Sequence, residues 1–297
     1  TMQFDKLMPQ FLRNPIVDGV PVESENKIEG FTVVGADNWY DIENQTVNYF
    51  RQASVEDTIP VRNVRSVGNN YTVFATETFI DEVSQEIGVD PMAFRLNYLN
   101  GVGINAGSNT PASYGGGKRL ANVLKIASGL ANYGLENLGE YEGLGIAITG
   151  AENRWAPCFL ALVAKVKVDK NSAAIDVQKL ICVLDVGIAI NPDGIKAQVE
   201  GSLLWGLSNA LLEKMTLEDG MVSERNFDSY KWQNITKIPE LEIHIVENGI
   251  FPSGVGEPAT CVVAPAIGNA IFNATGVRLR SLPFSREELF EGLDKKA

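Results

Sequence analysis

The chain has 297 residues, 45% of them hydrophobic and 21% charged, a composition that fits a folded protein with a substantial core and excludes a disordered or fibrous one. Its 37 acidic against 25 basic residues give a formal net charge of −12, which excludes the basic face that a nucleic-acid partner requires. Three scattered cysteines without a CxxC pair, and a single histidine, exclude a disulfide framework, a zinc knuckle, a cysteine-ligated iron–sulfur cluster and a histidine-rich metal site.

Residues 1–27 mix Pro, Asn, Asp and Glu without periodicity and are expected to form a loosely ordered lead-in. The chain opens Thr1-Met2 with no signal peptide, so it is read as part of a longer protein whose compartment, cytoplasmic or periplasmic, stays open. Residues 30–52 read as strands broken by turns. From Thr76 the apolar positions Phe79, Ile80, Val83 and Ile87 fit one helical face that Gly88 closes. A second helix restarts at Pro91 with Asp90 as its cap. After a Gly/Ser/Asn-rich loop over 101–117, Leu120, Val123, Leu124, Ala127 and Ala131 mark a third helix.

The second half is richer in strands. "GLGIAITG" precedes "FLALVAKVKVD", which is apolar on both faces at first and then alternates, a strand buried at one end. "AIDVQKLICVLDVG" pairs with it as a hairpin through residues 170–173. "NPDGIKAQVEGSLLWGLSNALLE" is a helix with Asn191 as cap and Pro192 in its first position. Asp219-Gly220 signals a type I′ hairpin, and "LEIHIVE" alternates as a strand with His244 on its polar face. The uncharged stretch 258–275 reads as a helix closed by Gly276; its Pro, Gly, Asn and Thr content makes it a poor membrane span, so no transmembrane segment is expected.

Glu257 raises the main chemical question. It is the one carboxylate of "PSGVGEPATCVVAPAIGNAIFNATG", flanked by Gly256 and Pro258. One reading makes it a helix-end acid complementing the dipole. The other makes it a general base at a glycine elbow, where Gly254 and Gly256 let a ligand approach the backbone. Asp185, at a strand end beside Val186-Gly187, reads equally as a ligand-site carboxylate or as a turn group. Gly201 and Gly206 thin one helix, either for close packing or for a large cofactor. Arg65 by itself reads as a surface arginine. "SYGGGKR" lacks the spacing and the Ser/Thr of a phosphate loop. The three cysteines lie in apolar runs and are expected to be buried thiols.

Four stretches in order, "VRSVGNN…FATETFIDEVSQEIGVDPMAFRL", "VLDVGIAINPDGIKAQVEGSLLWGLSNAL", "SERNFDSY" and "PSGVGEPATCVVAPAIGNAIFNATGVRLRSLP", resemble the molybdopterin-binding large subunit of the xanthine oxidase-type molybdenum hydroxylases. The resemblance is strongest to the isoquinoline 1-oxidoreductase beta subunit and aldehyde dehydrogenase branch. It implies an α+β fold with mixed β-sheets and long packed helices, with a lead-in at 1–27, a first lobe over 28–142 and a second over 143–297. It also implies oxygenation of an aldehyde or N-heterocycle C–H bond with water-derived oxygen, Glu257 being the general base. Gly254, Val255, Gly256, Gln198, Gly201 and Ser202 would lie against the cofactor. Asp185, Gly187 and Asn191 would form the turn that supports it, Arg65 would line the substrate channel, and no residue would ligate the metal directly.

The cofactor implied is a molybdopterin cytosine dinucleotide carrying molybdenum, with a [2Fe–2S] cluster on a small partner subunit. Val64 stands where relatives carry an aromatic, Val186 where many carry cysteine, and the family's glycine-rich "G-x-E-x-G-Q-G" element is absent. The chain is therefore expected to be the C-terminal part of the subunit, inactive alone and completed by an N-terminal half. The competing class is a non-catalytic, cofactor-free relative or assembly module with the same fold. A carboxylate hydrolase lacks a recognisable second acid.

Overall fold

The computed structural model of the protein describes residues 2–8, 16–17, 20–21, 34–36, 38–51, 64–101, 116–135, 137–153 and 156–296. Strand β1 (Met2–Met8) is followed by a short antiparallel ladder of β2 (Ile16–Val17) and β3 (Val20–Pro21), and then by β4 (Gln45–Arg51), which pairs in parallel with β1. Part of the expected loose lead-in is therefore strand. The pairing partner of β1 lies far along the chain, so no local turn announces that strand. Of the strands expected over 30–52, the described residues hold β4 alone.

Helix α1 (Asn69–Glu86) starts well before the expected Thr76, and the face it buries differs from the apolar one read in the sequence. Phe79 and Ile87 are 47% and 57% exposed, whereas Asn69, Thr72, Thr76, Glu77, Asp81 and Ser84 are buried. Helix α2 (Pro91–Asn97) begins as expected, the Asp90 carboxylate accepting from the Ala93 amide. Helix α3 (Gly116–Leu130) buries Leu120, Val123, Leu124 and Ala127; most of the loop expected before it lies outside the described residues.

Strands β5 (Glu142–Asn153), β6 (Ala156–Val168) and β7 (Ile175–Asp185) form an antiparallel meander, with a register shift between Lys165 and Val166. Helix α4 (Pro192–Leu211) follows, capped by Asn191, and then the β8 (Leu217–Glu218) and β9 (Met221–Val222) hairpin turning through Asp219 and Gly220 at φ 51° and 77°. Strand β10 (Glu240–Val246) joins β7 in parallel, so the sheet is mixed, in the order β10-β7-β6-β5. Helix α5 (Val263–Thr275) ends on Gly276 at φ 69°, and α6 (Arg286–Asp294) is capped by Ser285.

The sheet has helices on both faces. Leu160, Leu162, Ala164 and Val166 of β6 join one core with Val199, Leu203 and Leu207 of α4 and Ile267 and Ile271 of α5. Phe159, Ala161 and Val163 face the other core, with Ile80 of α1, Phe94 of α2 and Val123 and Leu124 of α3. That double coverage explains why β6 and β7 read as continuous apolar runs, each face needing its own hydrophobic set. The expected boundary between 142 and 143 falls at the start of β5.

Two devices lock the layers. A Cβ on Gly145 would lie 2.1 Å from Ala270 N, so α5 rests on the bare backbone of β5. Around the polar face of α1, Glu77 accepts from Arg95 Nε at 3.0 Å, Tyr40 Oη at 2.8 Å and the Ile148 amide at 3.1 Å. Arg278 bonds Asp81 at 2.7 Å and Asn269 at 2.8 Å. Buried ions are tolerated only when partnered on this scale. Burial and the Glu77 charge push the Tyr40 hydroxyl well above its usual pKa, keeping it a donor.

Candidate functional site

The loop 254–257 links β10 to a 3-10 turn, Pro258–Thr260, that leads into α5. Its approach is laced to the turn between β7 and α4. The Ser253 amide donates to Val186 O at 3.0 Å and the Asn248 amide to Gly187 O at 3.1 Å. Gly187 has φ 75°, and a Cβ there would come within 2.2 Å of Phe251 O, so a glycine is required twice over.

Asp185 fixes this turn from below. Its carboxylate accepts from Arg119 Nε at 2.9 Å, Arg119 Nη2 at 2.7 Å, Asn248 Nδ2 at 2.8 and 2.9 Å and the Gly187 amide at 3.1 Å. With Asp185 at 2% exposure and every acceptor position engaged, it is a buried brace rather than a free ligand. Asn191 spends its side-chain oxygen on the Gly194 amide at 3.0 Å as the α4 cap.

The loop itself is approached from two distant elements. Arg65, in the turn before α1, donates through Nε to Gly256 O at 2.5 Å, and through Nη2 to Gln198 O at 3.0 Å and Gln198 Oε1 at 3.1 Å. Ser66 Oγ donates to Glu257 O at 2.5 Å, and Ser202 Oγ of α4 to Gly256 O at 3.0 Å. The Arg65 guanidinium also lies 5.9 Å from the Trp205 ring centroid. Burial draws the Arg65 pKa down, and the nearby Glu257 charge opposes that fall. Glu257 is half-buried.

Among the described residues, a Cβ on Gly201 would meet only Arg65 Nη1, at 3.3 Å, and one on Gly256 only Gln198 Oε1, at 3.6 Å, so these residues leave the surface between them open. The amides of Gly254, Val255, Gly256 and Glu257 donate to no acceptor among the described residues. The Val255 side chain packs against the core, so its backbone is what remains available. Gly206, by contrast, is a packing glycine, since a Cβ there would sit 2.6 Å from Thr260 O.

Arg65, Gln198, Gly201, Ser202, Gly256 and Glu257 are thus brought together, while Asp185, Gly187 and Asn191 lie in the turn beside them. Sequence reasoning passed over Ser66, Arg119 and Asn248. Arg119 carried a signal: it stands four residues before Val123, on the edge of an apolar helix face, where a charge needs a buried partner. Ser66 and Asn248 carried none, because their partners are backbone or come from another element.

A molybdopterin cofactor-binding domain model matches residues 107–239. The chain is 39% identical over 277 residues to the membrane-bound aldehyde dehydrogenase [pyrroloquinoline-quinone] of Gluconacetobacter polyoxogenes, covering 93% of this chain and 35% of that relative. It is 29% identical over 226 residues to the isoquinoline 1-oxidoreductase subunit beta of Brevundimonas diminuta, covering 76% of this chain and 27% of the relative. The chain therefore spans about a third of the length of these relatives. Its fold matches the aldehyde oxidoreductase of Desulfovibrio desulfuricans with a TM-score of 0.70 at 17% identity, over 89% of this chain and 45% of that one. Quinoline 2-oxidoreductase from Pseudomonas putida follows with a TM-score of 0.68 at 13% identity, over 84% of this chain and 55% of that one. By sequence and by fold, the chain resembles part of the molybdopterin-binding subunits of molybdenum-dependent oxidoreductases.

Proposed function

We propose that the chain supplies one wall of a molybdenum-cofactor site in an oxidoreductase that hydroxylates an aldehyde or N-heterocycle, with Glu257 as general base. The observation that carries this is the convergence of Arg65 and Ser202 on Gly256 O, and of Ser66 on Glu257 O, from segments far apart in sequence. A helix-end acid needs no such assembly.

The residues fit an anionic, oxygen-rich group. The 254–257 amides, which meet no acceptor among the described residues, Arg65 Nη1 and the Gln198 amide nitrogen offer donors around a surface where Gly201 and Gly256 carry no side chain. Such backbone nests and cations suit a pterin and its diphosphate. Among the described residues no group of three His, Cys, Asp or Glu side chains is placed to hold a metal ion. When bound, the molybdenum cofactor supplies the two-electron redox chemistry of C–H hydroxylation. Glu257 would take the proton of the water whose oxygen is inserted. Arg65 contributes positive charge next to that carboxylate.

The finer assignments rest on the family resemblance: a cytosine dinucleotide form of the cofactor, a small [2Fe–2S] partner subunit, and the remaining part of the molybdenum subunit, without which this chain is inactive. Among the described residues no helix is long and apolar enough to cross a membrane.

The test is Glu257→Gln in the complete complex, which keeps the side chain's shape and removes its basicity. Turnover falls at least about 100-fold with molybdenum and released CMP per subunit unchanged, since general bases contribute roughly 10²–10⁴-fold. A loss smaller than about tenfold contradicts the assignment. Absence of molybdenum from the intact complex favours the cofactor-free relative.

A further inference from the structure

The backbone at Glu257 is in a conformation that its own sequence opposes. Glu257 precedes Pro258 yet has φ −120° and ψ −40°. Steric conflict with the proline ring pushes a preceding residue towards ψ of about +120° to +160°. No side-chain cap supports the 3-10 turn that follows. Left to local preference, Glu257 would rotate about ψ and turn its peptide plane away from the present one.

What opposes that rotation is a set of hydrogen bonds to the two carbonyls flanking Glu257. Gly256 O accepts from Arg65 Nε and Ser202 Oγ, and Glu257 O accepts from Ser66 Oγ and the Thr260 amide. Only the Thr260 bond is local. Ser66 is 2% exposed and has φ 76°, and Val67 beside it has φ 45°, the left-handed region that non-glycine residues, β-branched ones above all, enter rarely. Two adjacent residues in that region make a sharp turn that sends the Arg65 and Ser66 side chains into the same loop. A serine offered merely as a turn residue would be less suitable there than glycine.

We propose that Ser66 is a positioning residue for Glu257, its hydroxyl holding the Glu257 carbonyl in the ψ −40° conformation that the following proline disfavours, and with it the placement of the Glu257 side chain. Ser202 and Arg65 hold the preceding peptide in the same way. The inference rests on Glu257 being the base, and the bond it relies on belongs to this chain alone.

The informative variant is Ser66→Gly in the complete complex. Glycine accepts φ 76° without penalty, so the variant folds and melts no lower than the parent, but the hydroxyl is gone. Amide hydrogen exchange over 254–262 in the cofactor-free complex rises about tenfold, the loss expected for one buried hydrogen bond. In the loaded enzyme kcat falls roughly 10- to 100-fold while KM changes less than about threefold, because the base is displaced and the substrate's binding groups are not. Pro258→Ala placed on Ser66→Gly lifts the pre-proline restriction and restores a substantial part of kcat. Unchanged exchange and unchanged kcat in Ser66→Gly overturn the proposal, as does failure of Pro258→Ala to restore anything. Glu257→Gln separates the two ideas. If it stays active, the base assignment fails and the exchange result alone decides whether Ser66 anchors the loop.

Discussion

Asp185 shows how much a single carboxylate changes meaning between sequence and structure. In the sequence it is a strand-end acid beside glycine, equally a ligand or a turn group. In the fold it is saturated by Arg119, Asn248 and the Gly187 amide, and its charge is matched by the buried guanidinium of Arg119. Asp185→Asn keeps the volume but turns an amide donor towards donors and leaves Arg119 unpaired. Breaking a buried pair in this way costs about 3–5 kcal/mol, read as a lower urea midpoint at unchanged m. An unchanged midpoint accompanied by loss of cofactor would instead make Asp185 a direct ligand. Glu257 stands out in the sequence because an acid in an uncharged, glycine-flanked stretch has little value as packing. Ser66 does not, because a serine's worth depends on an acceptor 191 residues away.

At the scale of elements, α4 carries two glycines whose roles the sequence could not separate. Gly206 lies under Thr260 O and Val263, whereas Gly201 opens towards Arg65 Nη1. Their alanine variants therefore diverge. Gly206→Ala pushes against backbone that begins the helix after Glu257 and destabilises by about 1–3 kcal/mol. Gly201→Ala gains helix propensity, raising stability by up to about 1 kcal/mol, yet narrows the open surface and lowers molybdenum content in the complete complex. Thermal melts and metal analysis on the two variants check both halves. Periodicity located α3 because its buried face is apolar, and the Asn191-Pro192 start located α4. Periodicity misread α1 for the opposite reason. That helix buries Glu77 and Asp81 against Arg95 and Arg278, so its inner face looks polar and its exposed Phe79 looks like core.

Across the whole molecule, the sheet with two covered faces was legible as strands and as helices but not as layers. Nothing local tells which side of β6 meets α3 and which meets α5. The three cysteines follow that layering. Cys158 of β6, Cys182 of β7 and Cys261, ahead of α5, all enter the same core at 0%, 0% and 1% exposure. Burial pushes the Cys158 and Cys261 thiols up to about 12 and raises Cys182 as well, from an ordinary value of 9.0. The sign of the linkage follows directly. Below pH 9.0 folded and unfolded chains both keep these protons, so the stability the thiols confer is intact. As pH rises above that value the unfolded chain ionises first, and stability falls progressively until the folded thiols themselves titrate. Urea midpoints should be nearly flat from about pH 7 to 8.5 and decline above it, with the decline shallower in Cys261→Ala after its cavity cost is subtracted. The same burial keeps the thiolate population negligible, so iodoacetamide at about pH 8 modifies none of the three in the folded protein and all three in urea. Rapid labelling of one thiol without denaturant would mean that the core between β6 and α5 opens locally, and with it the anchor of the Glu257 loop.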